Sequence, residues 1–391
     1  MTQKSGVMTV PFHVAAVGEE EAQAAAEVIR SGWLTMGTRT FEFERRFAAY
    51  VGARHAIAVC SGTAGLHLAL EAAGIKAGDE VLIPATTFTA TGEVVCYLGA
   101  KPVLVDVQPG SMNLDPEDAA RKITARTRAM IPVHLAGMPC DMQEIHDLAS
   151  KHQLHIIEDA AHSLPASYRG TPIGALSGIS VFSFYATKTL TTGEGGMITT
   201  GNDAVAERMR IMRLHGIERD AWKRYSSDGS WFYQVLEAGF KYNMTDIAAA
   251  IGLVQLGKCD ELCAARQAIM ERYTAAFSAI PALAVPQDHS DRKSSWHLYI
   301  LRLKLERLSI DRDRFIAELK QRGIGTSVHF IPLHLHPFYQ KRFGYRPGDL
   351  PNAEAQYQRA VSLPIYPTMC DAEINAVIAA VSEVASSFGS K

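Results

Sequence analysis

Seven short apolar runs separated by segments of helical period constrain this chain more than any other feature of its sequence. The runs fall at residues 55–60, 81–83, 103–107, 129–133, 154–157, 181–184 and 197–200. Between them lie helical patterns at 66–73, stopped by Gly74, at 116–123, with Asp115 as a cap and Pro116 in the first turn, and at 141–152. Strands that alternate with helices predict an α/β fold: a seven-stranded, mostly parallel sheet sandwiched by helices. In such sheets ligands bind where loops leave the carboxyl ends of the strands. The residues just past each run are therefore the ones to inspect.

The rest of the chain frames that sheet. Residues 19–30 and 41–50 read as helices, the first ending before Ser31-Gly32. After residue 202 the pattern becomes mostly helical, at 205–214 and through a long segment at 245–277. The intervening loop, roughly 216–242, carries Trp222, Tyr225, Trp231, Phe232 and Tyr233, so it is expected to pack on a pocket or a partner chain. Past Pro281 come a strand-like run at 296–303, a helix at 311–322, a strand near 326–330 and a final helix at 371–388. The expected division is an N-terminal arm and helix (1–30), a large domain (31–258) and a smaller C-terminal α/β domain (259–391).

Charge and cysteine content remove several classes of function. Thirty-nine basic side chains face 41 acidic ones with no long run of either sign, which argues against nucleic acid or an anionic membrane as partner. The six cysteines are scattered without a C-x-x-C pair, and Cys259 and Cys263 stand one helical turn apart; they read as reduced thiols of a cytoplasmic protein. The first residues lack an apolar leader, and no window approaches the ~20 apolar residues of a membrane span.

Four strand ends carry chemistry. Beyond the run at 181–184, Ser183-Phe184-Tyr185-Ala186-Thr187-Lys188 leads to the glycine turn Gly193-Glu194-Gly195-Gly196. Lys188 reads either as a solvated lysine or as a desolvated, neutral amine suited to a Schiff base. Ser183 and Tyr185 share one face of that strand, and Ser183 could add a hydroxyl to an anion site. Cys60-Ser61-Gly62-Thr63-Ala64-Gly65, after a strand and opening a helix, suits one phosphate or merely caps the helix. Asp159, in Glu158-Asp159-Ala160-Ala161-His162, could keep a ring nitrogen protonated or cap a turn, with His162 able to bond a nearby oxygen. Phe88 could stack on a planar cofactor or fill core. His334 and His336 alternate on a possible strand, but no third ligand accompanies them, so no metal is assigned. A phosphate cradle, an acid for a ring nitrogen, a stacking aromatic and a Schiff-base lysine together describe pyridoxal 5'-phosphate.

Motifs along nearly the whole chain bear this out by resemblance. They include Gly32-Trp33-Leu34-Thr35, Ser61-Gly62-Thr63-Ala64, Gly78-Asp79-Glu80-Val81, Pro132-Val133-His134-Leu135-Ala136-Gly137, Glu158-Asp159-Ala160-Ala161-His162, Gly193-Glu194-Gly195-Gly196 and Lys241-Tyr242-Asn243-Met244-Thr245-Asp246. The sequence resembles the fold-type I pyridoxal-phosphate enzymes, and within them the nucleotide-sugar aminotransferases of the DegT/DnrJ/EryC1/StrS family. The resemblance implies that Lys188 carries the cofactor, Asp159 pairs with its ring nitrogen and His162 sits near its phenolic oxygen. It places Ser61, Gly62, Thr63, Ala64 and Ser183 around the phosphate and Phe88 over the ring. Asn243 resembles a residue that reaches the phosphate from the neighbouring subunit of a homodimer, and Lys241, Tyr185 and His329 fall on the substrate side. Thr189 stands where the family usually has asparagine, and Leu164-Pro165 where a glycine-containing turn is commoner.

The activity so implied is amino transfer in two halves, from glutamate to the cofactor, leaving pyridoxamine phosphate, and then to a keto sugar on a nucleoside diphosphate. The 241–246 motif leans toward C4 of UDP-linked sugars. A dTDP-linked 3-keto sugar or a cyclitol ketone is the alternative acceptor. The family's dehydratase branch and a non-catalytic regulatory protein on the same fold are the alternative functions; the first is associated with histidine in place of lysine, and Lys188 with Asp159 counts against both.

Overall fold

The computed structural model describes residues 8–218 and 232–389. All seven predicted strands form and join one sheet, in the spatial order His55–Val59, Gly196–Thr200, Ile179–Ser183, His155–Asp159, Thr127–Met130, Glu80–Pro84 and Lys101–Val105. Gly196–Thr200 runs antiparallel to both its neighbours, and every other pairing is parallel. Six carboxyl ends therefore share one edge, where the antiparallel strand begins with Gly196.

Period-two alternation divides the strand side chains between two cores. Ile57, Val59, Val81, Ile83, Ile157 and Val181 face Leu66 and Leu70 of the helix Gly62–Ala72. Ala56, Ala58, Leu82, Met130 and Phe182 face the other way, toward Phe43, Phe47, Ile145 and Ala249. Burial on both faces explains why the strands read as continuous apolar runs. Several helices start on side-chain caps, among them Ser61 for Gly62–Ala72, Asp115 for Pro116–Lys122 and Asn202 for Asp203–Met212. The helix Thr38–Val51 begins at Gly37, which has no side chain, and its cap comes from afar. Asp246 accepts the N–H groups of Gly37 (2.7 Å), Arg39 (3.1 Å) and Thr40 (2.9 Å).

A third core surrounds the antiparallel sheet Leu283–Ala284, Tyr299–Leu303 and Ala360–Leu363. Tyr273, Phe277, Phe315 and Val377 pack there, from the helices Cys259–Phe277, Arg312–Gln321 and Asp371–Ser387. Val10 joins this core by pairing with Ile324.

Three expectations need correction. The helical segment 245–277 is two helices, Asp246–Gly257 and Cys259–Phe277, which meet at Lys258. The strand near 326–330 reduces to one bridge, Ser327 to Ser362, because the chain turns inward there to line a cavity. His334 lies in a short 3-10 turn, fully buried and bonded to Glu354 at 2.8 Å, while His336 precedes the helix Pro337–Phe343, so the two do not alternate on a strand. Trp222, Tyr225 and Trp231 lie outside the described residues, and within them Phe232 and Tyr233 are exposed. No helix among the described residues is long and apolar enough to cross a membrane.

Candidate active site

The shared carboxyl edge of the sheet opens into a cavity of about 560 Å³. Ser61, Gly62, Thr63, Phe88, Asp159, His162, Ser183, Tyr185, Lys188 and His329 all line it, so ten of the predicted site residues converge from strand ends far apart in sequence. Ala64, Lys241 and Asn243 do not. Ala64 turns its methyl into the core and gives its N–H to the Ser61 hydroxyl at 3.0 Å. Asn243 pairs its backbone with Val59, and its side-chain oxygen accepts from Lys241, placing both beside the first strand rather than in the cavity.

Lys188 meets the cavity with part of its surface, yet the amine sits deep enough for burial to lower its pKa to about 8; nearby Asp159 pulls the other way. Near neutral pH a useful fraction of the amine is thus uncharged, the nucleophilic form. Asp159 ends the strand His155–Asp159 and is 5% exposed. Burial raises its pKa, while a bond from the Thr91 hydroxyl (2.8 Å), another from the Ala161 N–H (3.2 Å) and the charge of Lys188 lower it. A carboxyl so placed gains from a cationic N–H in the cavity, which a pyridinium supplies.

The four histidines of the wall are His13, His162, His297 and His329, and burial depresses the pKa of each. For His329 the value falls to about 4, with Lys188 adding to the effect of burial, and its Nδ1 lies 2.8 Å from the Ser362 hydroxyl. Phe88, 58% exposed, lines the cavity with its ring 5.9 Å from that of Phe330, which stacks in turn on His162 at 6.1 Å.

The end of the cavity at the start of the helix Gly62–Ala72 is shaped by close backbone approach. A Cβ on Gly62 would fall 2.9 Å from the Ser183 Cβ, and one on Gly196 would fall 2.7 Å from the Ser61 carbonyl. Only glycine lets the helix start and the two strands converge around the first-turn N–H groups. Ser61 spends its hydroxyl capping that helix, as the simpler reading of the motif holds, but it also lines the cavity.

Several wall residues carry no sequence signal of their own. Phe12 and His13 come from the N-terminal arm, His297 and Phe330 from segments beyond residue 258. Thr87 and Thr91 could have been found, because two threonines straddle a helix start just past a strand end; their hydroxyls lie 2.8 Å apart.

A strand-end cavity that holds a lysine with a lowered pKa, a buried acid and a helix start closely approached by glycine backbone fits a fold-type I pyridoxal-phosphate enzyme. The DegT/DnrJ/EryC1/StrS aminotransferase family model matches residues 15–382, and the chain belongs to that family. It is thus a pyridoxal-phosphate-dependent aminotransferase. The chain is 51% identical to an uncharacterized protein of Methanocaldococcus jannaschii, MJ1066, over 95% of its own length and 96% of that protein's. It is 46% identical to the spore coat polysaccharide biosynthesis protein SpsC of Bacillus subtilis, over 96% and 97%. The PLP-form of Spr1654 from Streptococcus pneumoniae superposes with a TM-score of 0.91 at 32% identity, covering 97% of this chain and 99% of that one.

Proposed function

We propose that the protein moves an amino group from glutamate to a keto sugar carried on a nucleoside diphosphate, with a UDP-linked 4-keto hexose as the favoured acceptor. The observation that carries this reading is Lys188, its pKa lowered by burial to about 8, beside the buried acid Asp159 in a cavity large enough for a cofactor and a sugar ring. The similarity to a polysaccharide biosynthesis protein supports the sugar, and the 241–246 motif supports the position.

When bound, pyridoxal phosphate supplies an electron sink for the carbon that loses or gains the amine. The residues of this chain do the rest. Lys188 holds the cofactor, and when displaced by the donor its Nζ takes the proton from the donor carbon. In the second half it returns a proton to the sugar carbon. Asp159 keeps the ring nitrogen protonated, with Thr91 supporting its ionised form. His162 donates toward the phenolic oxygen, Phe88 covers the ring, and Gly62, Thr63 and Ser183 surround the phosphate. Tyr185 and His329 face the sugar. The six cysteines are unpaired, which suits the reducing cytoplasm.

Asn243, with Lys241 beside it, serves the neighbouring site of a homodimer in this reading, since neither reaches the cavity of its own chain. Mixing Lys188→Ala and Asn243→Ala chains tests this. Action across the interface restores one full site in each mixed dimer; action within a chain restores none. For the acceptor, a panel of keto nucleotide sugars is incubated with glutamate and the new amine located by NMR. A 4-amino product is expected, and a 3-amino product would overturn the UDP-4-keto assignment.

A further inference from the structure

The short segment that leads from Arg292–Lys293 into Tyr299–Leu303 grips His162 from several sides. The Ser295 hydroxyl donates to the His162 carbonyl. The His297 ring lies 4.4 Å from the His162 ring, their planes 41° apart, and both residues are more than nine-tenths buried. Leu298 donates its N–H to the Ala136 carbonyl at 3.3 Å, and Ala136 donates its own N–H to Nδ1 of His162 at 3.3 Å. The opposing loop is shaped for this contact. Ala136 adopts φ 60, a conformation rare for a residue with a side chain, and a Cβ on Gly137 (φ +95) would fall 2.0 Å from the Ser295 hydroxyl.

The direction of one bond fixes the tautomer. A backbone N–H can only donate, so Nδ1 of His162 accepts, and a neutral imidazole must then carry its hydrogen on Nε2. His297 makes no comparable bond: its Nδ1 is buried without a partner. The ring contact that His297 does make is with His162, and its Nδ1 leaves that contact unopposed by any hydrogen bond of its own.

We infer that His297 is a positioning residue which, with Ser295 and Ala136, holds the His162 ring in its Nε2–H tautomer and aims that donor at the cavity. The inference rests on the proposed function only for the identity of the oxygen that receives the bond. It also explains Gly137 in the Pro132-Val133-His134-Leu135-Ala136-Gly137 motif, where the absence of a side chain leaves room for the Ser295 hydroxyl.

The test reads the tautomer first and the cofactor second. Histidine 15N NMR of the cofactor-free protein, with the His162 signal assigned by its loss in His162→Gln, should show a single Nε2–H form. His297→Ala and Ser295→Ala should each give mixed tautomers or a mobile ring, whereas His297→Phe, which keeps the ring contact, should not. Ser295→Ala deletes one hydroxyl and serves if the cavity left by His297→Ala prevents folding. In the loaded enzyme the long-wavelength band should shift in both alanine variants, and kcat should fall roughly tenfold or more through misplacement of His162. An unchanged tautomer and band in Ser295→Ala and in folded His297→Ala overturn the inference. If the wild-type protein takes up no pyridoxal phosphate while the tautomer responds as stated, the cofactor reading fails and the positioning role stands.

Discussion

The Thr91 hydroxyl donates to Oδ2 of Asp159 at 2.8 Å, and this bond is the main support for an ionised acid in a place where burial opposes one. Because Thr91 donates there, the bond between Thr87 and Thr91, also 2.8 Å, must run from Thr87, so the two hydroxyls form a relay ending at the carboxylate. Thr91→Val keeps the shape and removes the donor. Asp159 should then titrate higher, and pyridoxal phosphate should bind about tenfold more weakly, the equivalent of roughly 1.4 kcal/mol for one lost charge-assisted bond. Absorbance titration of the cofactor-free protein measures this, and Thr91→Ser should restore most of the loss. Equal affinity in wild type and Thr91→Val would remove Thr91 from the site.

Lys188 makes a prediction about pH. In the cofactor-free protein its amine should become reactive with a midpoint near pH 8, not in the ordinary lysine range, as read by the pH dependence of site-specific reductive methylation. Asp159→Asn removes the charge that holds this value up, so the midpoint should move below 8. The sign for stability follows from linkage. Above about pH 8 the unfolded chain keeps a proton on Lys188 that the folded chain has lost, so this group's contribution to stability rises with pH up to the normal lysine range. Lys188→Ala should abolish turnover, remove the long-wavelength cofactor band and flatten that segment of the stability profile.

Much of the fold could be read from the sequence because strands buried on both faces announce themselves, and the ligand-bearing edge follows from their parallel order. Lys188, Asp159, Ser61 and Phe88 were visible for the same reason: each sits at or just past a strand end. What could not be read was contributed by contacts distant in sequence. Asp246 belongs to a motif associated with function, yet its carboxylate caps the helix Thr38–Val51 across more than 200 residues. Thr245 of the same motif caps its own helix, and the Tyr242 hydroxyl bonds His67 at 3.0 Å. Periodicity cannot show that Lys258 breaks a continuous helical pattern, nor that the 326–330 segment leaves its sheet after one bridge to face the cavity.

Gly196 offers a direct test of the cradle. A methyl group there would sit 2.7 Å from both the carbonyl carbon and oxygen of Ser61 and 2.8 Å from the Gly62 nitrogen, all backbone atoms that cannot swing away. Gly196→Ala should therefore displace the start of the helix Gly62–Ala72 while leaving the remaining strand pairings in place. Loss of affinity for pyridoxal phosphate should exceed the loss for pyridoxal, which lacks the phosphate. Parallel losses for both ligands would mean that the convergence at Gly196 serves the sheet and not an anion.

The N-terminal arm should separate binding from turnover. Val10 is strapped to residues 323–325, with hydrogen bonds from its N–H to Gly323 (2.9 Å) and to its carbonyl from Gly325 (2.8 Å). The next residues cross the cavity wall. Phe12 stacks on His329 at 5.6 Å, and His13 Nε2 lies 3.2 Å from the carbonyl of Ala186, two residues before Lys188. Burial, with the charge of Arg266, keeps His13 neutral, so Nε2 must carry its hydrogen to donate to that carbonyl. His13→Ala frees the backbone that carries the lysine, and kcat should fall about fivefold, one hydrogen bond of roughly 1 kcal/mol, with little change in KM. Phe12→Ala removes the stack on His329, the proposed sugar contact, so the acceptor KM should rise while the cofactor band is unaltered. Steady-state kinetics on both variants decides the matter: if the two lose kcat and KM alike, the arm acts as one structural strap, and neither residue has a separate part in positioning the lysine or the sugar.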